Sequence, residues 1–461
     1  MEPIKLKVLL TAAIIASGAL IVVLIGPGAS ATAYQAQGVV VDFGDRDIVW
    51  TDIDLHIVGD PIELLMIACE ENGFECDITD KTVMKISRTA EGVTKEYESG
   101  PEREWGFWVI EKGETDWVKI ASPYNNVDPL SCTTCAWAYC SVSEKPAVGA
   151  DQVGNSIFGY ERPFRTVSLS PSMTEIMGAL NAVSTLVGTD KYSNYPYSVT
   201  EGQAKGDIAI VGDYVNPSFE MIMGADPDMV YCDGSQYIHY EMSERLRRAN
   251  VPAVVLYAGE STETIIDNIY IMGVTLQYEM AAQGVITMLK EAEEYLTMML
   301  MSGGTDFVRT MFALSPDKSP WVAGQYTYMD DISTAVFGEN SMAMFFGWAH
   351  ISSEVIASAN PSVVVILAET YVASPSEYDG MIGQMSAEWK STDAYKNGKI
   401  YIFCGELGEM ASRPGPRYMQ IMELFAMILH PDMFAQELPK YIGNEYGSYL
   451  TITKDLGFNN E

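Results

Sequence analysis

The sequence predicts an α/β protein in which two α/β lobes are joined by a long helix, preceded by a small, β-rich α+β domain and an N-terminal apolar segment. Three observations carry that expectation: an uncharged apolar run near the start, a change of pattern near residue 160, and a nearly unbroken helical stretch from Thr262 to Met301. After residue 160, short apolar strands alternate with amphipathic helices. That alternation suits a parallel sheet, because each crossover must carry the chain back to the same end.

The first charges are Glu2, Lys5 and Lys7, and the 18 residues from Val8 to Ile25 carry none. Residues 1–31 therefore read as a signal peptide or a membrane anchor. Ala29-Ser30-Ala31 is a small-residue cleavage pattern, while a run of that length also suffices for a tilted span. Either outcome places the folded chain outside the cytoplasm, at the cell surface or in the periplasm, anchored to the membrane if the segment is retained. No cysteine follows the apolar run before Cys69, so none is available there for lipid attachment.

Residues 36–145 differ in composition from the remainder of the chain. Val39 to Phe43 and Trp105 to Ile110 read as strands, and Pro61 to Glu71 places Ile62, Leu65, Met66 and Cys69 on one helical face behind a proline that a first turn tolerates. Strands around one helix predict a small α+β domain. Residues 146–162 lack periodicity and read as a linker. Seven cysteines stand at 69, 76, 132, 135, 140, 232 and 404. In an exported chain the first five are expected to pair as disulfides, since Cys132-Thr-Thr-Cys135 has no second pair or nearby histidine to complete a zinc site. Cys232 and Cys404 each follow a short apolar run and read as buried strand-end residues.

Residues 163–440 hold the two lobes. Lobe 1, residues 163–260, has strands at Arg165–Leu169, Met229–Tyr231 and Val254–Tyr257. The stretch 262–301 reads as one connecting helix of about 60 Å at 1.5 Å per residue. Lobe 2, residues 308–440, has strands at Thr310–Leu314, Val363–Leu367 and Ile400–Phe403. Each lobe opens with a strand that turns into a helix N-terminus: Ser172 and Glu175 have capping-box spacing, and Thr327 to Asp331 starts the second. Such N-termini lie at the carboxyl ends of strands and face the crevice, where free N–H groups hold polar parts of a ligand.

Composition narrows the function. With 62 acidic against 28 basic residues the net charge is −34, a field that repels phosphate backbones, so nucleic acid is not a partner. There is no P-loop, GxGxxG, GxSxG or HExxH, so an enzyme is not expected. The histidines, His56, His239, His350 and His430, are scattered and suggest no metal site.

Arg165-Thr-Val-Ser-Leu-Ser-Pro-Ser-Met-Thr-Glu175, followed by Val187-Gly-Thr-Asp-Lys-Tyr-Ser-Asn-Tyr-Pro196, resembles the opening of the helical-backbone (class III) periplasmic solute-binding proteins of ABC importers. Val211-Gly-Asp-Tyr-Val-Asn-Pro-Ser-Phe-Glu220 with Ala225-Asp-Pro-Asp-Met-Val230 is similar to that family's next signature. Trp321-Val-Ala-Gly324 with Asp330-Asp331 resembles its second-lobe opening, and Arg413-Pro-Gly-Pro-Arg417 its closing motif. The resemblance implies a protein that captures cobalamin, a ferric siderophore or haem and hands it to an ABC permease and its ATPase, with no cofactor besides that cargo. By position it implies ligand contacts from Tyr192, Tyr214 and Trp348, whose faces suit a flat macrocycle. It places Arg413 at the cleft mouth, where it could meet a propionate, phosphate or hydroxamate. It also implies one permease-docking acid per lobe, Glu220 and Glu354.

The N-terminal unit resembles the C-terminal domain of transcobalamin-type carriers in Val40-Val-Asp-Phe-Gly44, the helix after Pro61 and an aromatic hairpin from Trp105 to Trp117. That likeness favours a corrinoid over a ferric siderophore or haem. A surface protein that kept the fold without transport is the remaining alternative. Residues 160–461 contain both lobes and are expected to fold and bind ligand alone.

Overall fold

The computed structural model describes residues 35–90, 92–124, 127–368, 371–454 and 456. The apolar segment 1–31 lies outside the described residues. Among those described, no helix is long and apolar enough to cross a membrane.

The N-terminal region forms strands β1 (Gly38–Asp42), β2 (Ile48–Asp52), β3 (Glu75–Thr79), β4 (Thr82–Ala90), β5 (Val93–Glu98), β6 (Arg103–Glu111), β7 (Val118–Ile120) and β8 (Cys132–Ser141), with one α-helix, α1 (Pro61–Asn72). They make a five-stranded sheet in the order β2-β1-β8-β6-β7 and a three-stranded β3-β4-β5 sheet. Helix α1 starts because the Asp60 carboxylate accepts from Ile62 N and Glu63 N ahead of Pro61, and it stops at left-handed Gly73. Its buried face is Pro61, Leu64, Leu65, Ala68 and Cys69. Met66, expected on that face, points to solvent.

Alternation along the five-stranded sheet sends successive side chains to opposite faces. Val39, Val41, Phe107, Val109, Cys135 and Trp137 pack on α1. Val40, Trp108, Ile110, Ala136, Ala138 and Cys140 join a second core that continues into the lobes. The sheet is therefore apolar on both faces. Segment 146–162, expected as a linker, is part of this joint: Ala150 and Ile157 are buried, and Trp50 stacks on Phe158 at 5.5 Å. The buried Asp151 accepts from Val153 N, Asn155 N and Val255 N and pairs with Arg247. A chain beginning at residue 160 would leave the lobes' half of that core facing water, which argues against the expectation that it folds alone.

Of the five cysteines expected to pair, Cys69 and Cys76 are disulfide-bonded, while Cys132, Cys135 and Cys140 are thiols. Cys135 and Cys140 sit an odd number of residues apart on β8 and so face opposite cores, which keeps Cys140 from the others. Cys232 and Cys404 are buried thiols at strand ends.

Lobe 1 contains β9 (Thr166–Ser168), α2 (Pro171–Ala179), β10 (Leu186–Thr189), α3 (Tyr197–Lys205), β11 (Ala209–Ile210), a hairpin of β12 (Gly212–Asp213) and β13 (Asn216–Pro217), α4 (Phe219–Gly224), β14 (Met229–Asp233), α5 (Tyr237–Arg248) and β15 (Ala253–Leu256). Its sheet, β11-β10-β9-β14-β15, is parallel throughout. The expected single helix over 262–301 is instead two, α6 (Thr262–Leu276) and α7 (Glu279–Ser302). Gln277 adopts φ 58°, and Tyr278 N bonds back to Gly273 O, which ends the first helix. An added Cβ on Gly273 would lie 2.3 Å from the Ala282 Cβ, so only glycine lets the two helices approach there. Lys290 Nζ reaches Glu263 at 3.6 Å, which shows that α7 folds back along α6. The long helix is thus the 24-residue α7, about 36 Å at 1.5 Å per residue.

Lobe 2 contains β16 (Val308–Ala313), β17 (Trp321–Ala323), α8 (Tyr328–Ala335), β18 (Gly338–Asn340), β19 (Trp348–His350), α9 (Ser353–Ala359), β20 (Val363–Ala368), α10 (Pro375–Gly383), α11 (Ala387–Lys390), α12 (Asp393–Lys396), β21 (Ile400–Cys404), α13 (Gly405–Ala411), α14 (Tyr418–Leu429) and β22 (Tyr441–Ile442). Its sheet runs β19-β17-β16-β20-β21-β22, with β18 also beside β16. Helix α6 packs on α2 of lobe 1 and α7 on α14 of lobe 2, so the helical hairpin ties the lobes together.

Candidate ligand-binding cleft

Between the lobes, the loops that follow the parallel strands meet over a charged floor. The expected capping box at Ser172 and Glu175 does not form: Ser170 is the N-cap of α2, and its side chain makes no cap bond. Glu175 is 2% exposed, and its carboxylate turns to the other lobe. It accepts from Arg417 Nε at 2.9 Å and Nη2 at 2.7 Å, a bidentate pair, and from Arg413 Nη1 at 3.2 Å. Arg417 is itself 2% exposed, and its guanidinium carbon lies 3.7 Å from the Tyr195 ring centroid. Burial works against the Arg417 charge, but Glu175 outweighs it and the pKa is raised.

Arg413 bridges the same gap. It donates to Asn194 Oδ1 at 2.7 Å and Tyr192 O at 3.2 Å on lobe 1, and to Glu409 on its own lobe at 3.0 Å. Its side chain is only 11% exposed. The resemblance implied an anion receptor at the cleft mouth; here the guanidinium is already engaged by two carboxylates and two neutral oxygens. Asn194 Nδ2 also donates to Glu409 at 2.7 Å, and Tyr197 OH to Glu406 at 3.2 Å.

On the lobe 1 wall, Asp190 at the end of β10 is buried, accepts from Tyr192 N at 2.8 Å and from the Ser193 hydroxyl, and has its pKa raised by burial. Tyr192 stays half exposed, with Lys191 Nζ 4.7 Å from its ring centroid and 3.1 Å from Asp213. Tyr214 belongs to the adjacent hairpin, which Lys191 N joins through Gly212 O at 3.0 Å. Its hydroxyl pairs with Ser235 Oγ at 2.5 Å and accepts from Gln236 at 3.1 Å, and burial pushes its pKa up to about 12. His239 holds the hairpin's turn. Nδ1 accepts from Asp233 N at 2.8 Å and Nε2 donates to Tyr214 O at 2.8 Å, while burial lowers the imidazole pKa.

Trp348 lies on lobe 2, half-buried at the start of β19 and paired with Ala323. Tyr192 and Arg413 are thus in direct contact and Tyr214 is one loop away, while Trp348 comes from the opposite lobe. Two aromatics that the motif comparison missed stand near Trp348 in the chain. Tyr326 and Phe346, 61% and 73% exposed, stack at 5.7 Å with an interplanar angle of 11°. Gln325 N to Phe345 O and Gly347 N to Gln325 O, both 2.7 Å, hold the two loops together. Tyr326 sits at φ 61°, just before the Thr327 N-cap of α8. A bulky residue there is held against its own preference, which points to a constrained site. The signal in the sequence was the aromatic pair Phe345-Phe346 before Gly347, of which Phe345 packs on the lobe 2 core and Phe346 is exposed.

Glu220 and Glu354 occupy matching places, each the second residue of a short helix after a serine N-cap, Ser218 on α4 and Ser352 on α9. Glu220 is exposed with Arg245 3.8 Å away, and Glu354 is exposed with its carboxyl pKa lowered by a hydrogen bond from Ser352.

The periplasmic binding protein family matches residues 166–405. An uncharacterized ABC transporter substrate-binding lipoprotein of Bacillus subtilis is 23% identical over 278 residues, which is 60% of this chain and 83% of its own. A cobalamin-binding protein of Halobacterium salinarum is 21% identical over 290 residues, 62% of this chain and 74% of its own. The crystal structure of a periplasmic haem-binding protein from Pseudomonas aeruginosa superposes with a TM-score of 0.50 at 19% identity, over 60% of this chain and 96% of that one. Identity that low speaks to the fold alone.

Proposed function

Because the chain belongs to the periplasmic binding protein family, matched over residues 166–405, and is therefore an extracytoplasmic substrate-binding component of an ABC transporter rather than an enzyme, we propose that its cargo is a corrinoid. The observation that carries this reading is the charge of the cleft. Both floor arginines are already paired with Glu175, Glu406 and Glu409 also contact them, and the lobe 1 wall adds Asp190, Asp213 and Asp233 against Lys191. Haem propionates or an anionic siderophore would meet that acidic field with no uncommitted cation among these residues. A corrinoid presents amide groups, whose N–H donors suit carboxylate acceptors, around a flat face that suits aromatic rings. Tyr192, Tyr214 and Trp348, with the Tyr326–Phe346 pair, would supply those rings.

The cobalamin-binding relative from Halobacterium salinarum supports the same choice, as does the resemblance of the N-terminal region to transcobalamin-type carriers. Glu220 and Glu354 would each meet an arginine of the permease. One carboxylate per lobe lets the permease read both lobes at once.

The test is co-elution. The purified chain is mixed separately with cyanocobalamin, haemin and a ferric hydroxamate, desalted, and its visible spectrum recorded. Corrin absorbance alone should travel with the protein. Retention of haemin or the ferric chelate, with cobalamin lost, would move the ligand to iron.

A further inference from the structure

The Cys132-Thr-Thr-Cys135 motif lies outside the cleft and its use in this chain is open. On a regular strand, residues three apart face opposite sides. Here the β6–β8 register passes from Ile110↔Thr134 to Glu111↔Cys132, so Thr133 is an extra, unpaired residue of a β-bulge. The bulge turns Cys132 to the same side as Cys135, and both belong to the core under α1. Their sulfurs converge on one turn: Cys132 Sγ lies 3.6 Å from Asp128 O and Cys135 Sγ 3.9 Å from Pro129 O. Cys132 is half-buried, whereas Cys135 is buried.

We infer that Cys132 and Cys135 form a thiol–disulfide exchange site, with Cys132 the entry thiol and Cys135 the resolving thiol, that takes small disulfides as substrate. The Cys132 thiolate attacks one sulfur of the small disulfide and expels one thiolate, leaving a mixed disulfide on Cys132. Cys135 gives its proton to solvent and attacks the Cys132 sulfur, forming the Cys132–Cys135 bond and expelling the second thiolate. Two protein thiols are oxidised and the small disulfide is reduced to two thiols, with no further oxidant. The order of attack follows from access, since a reagent reaches Cys132 first. Hydrogen bonding from Cys135 lowers the Cys132 pKa to about 7 against burial and the nearby Glu111 and Asp128, while the same hydrogen bond and burial raise that of Cys135. Because β8 carries both cores of the N-terminal sheet on its two faces, closing this bond would fix the start of the strand that joins that sheet to the lobes.

Oxidised glutathione is the probe. The full chain is incubated with it, quenched in acid, alkylated, digested without reduction and read by mass spectrometry. The wild type should yield the peptide closed between Cys132 and Cys135 with no retained glutathione. Cys135→Ala, an apolar replacement at a buried position, should retain glutathione on Cys132, and Cys132→Ser should retain none. A wild-type adduct that persists on Cys132, both cysteines staying open to alkylation, or glutathione on Cys135 in the Cys132→Ser variant would each overturn the assignment.

Discussion

Replacing Glu175 by Gln removes a charge that two guanidinium groups from the other lobe face, while keeping the side chain's size. Arg417, 2% exposed, cannot turn to water, so it loses its bidentate partner without solvent in return and keeps the contact from Nη1 to Glu406 at 3.2 Å. Arg413 is better placed, because it keeps Glu409 and Asn194. Deleting one partner of a buried pair costs about 3–5 kcal/mol. With an unfolding entropy of about 2.1 cal/mol/K per residue, a folded body of roughly 430 residues has about 0.9 kcal/mol/K, so the melting temperature should fall by about 3–6 °C. Circular dichroism melts of wild type and Glu175→Gln at pH 7 measure this. Because the pair is dry, the loss should persist at about 1 M salt, where the Debye length is near 3 Å and surface pairs are screened. Melting within about 1 °C of wild type, or a loss that disappears in salt, would refute the inter-lobe clamp.

A chain starting at residue 160 should be insoluble or expanded, with a broad melt and strong dye binding; a sharp melt like that of the full chain would mean that the shared core contributes little. Glu220→Lys together with Glu354→Lys should leave ligand binding intact and abolish uptake in cells, and normal uptake would remove the docking assignment. Since burial lowers the His239 pKa, the unfolded chain binds a proton that the folded one refuses. Stability should therefore be full above pH about 6.5 and fall as the pH drops below it. His239→Asn should flatten that slope in melts between pH 7 and 5; an unchanged slope would place the pH sensitivity elsewhere.

The lobes were legible in the sequence because their strands are short, largely apolar runs alternating with helical segments, as at Val167-Ser168-Leu169 and Phe312-Ala313-Leu314. The helical hairpin was not, because the residue that permits it, Gly273, acts through Ala282, and periodicity alone does not register a close approach. Glu175 was misread for a related reason. Its spacing from Ser172 fits a local cap, but its partners Arg413 and Arg417 lie more than 200 residues away. The run Val39-Val40-Val41 held a usable signal, since a strand apolar on both faces needs cover on both, and that cover is the lobes. The motif comparison brought out Tyr192, Tyr214 and Trp348 but passed over Tyr326 and Phe346, whose pairing depends on two loops meeting.

Oxidative footprinting with and without saturating cobalamin tests the central claim most directly, because it reads ligand and location together. Protection is expected on both lobes at once, at Tyr192 and Tyr214 on one side and at Tyr326, Phe346 and Trp348 on the other, with the N-terminal sheet unchanged. Protection confined to one lobe, protection on the N-terminal sheet, or none with cobalamin while haemin protects the same residues would contradict a corrinoid held between the lobes.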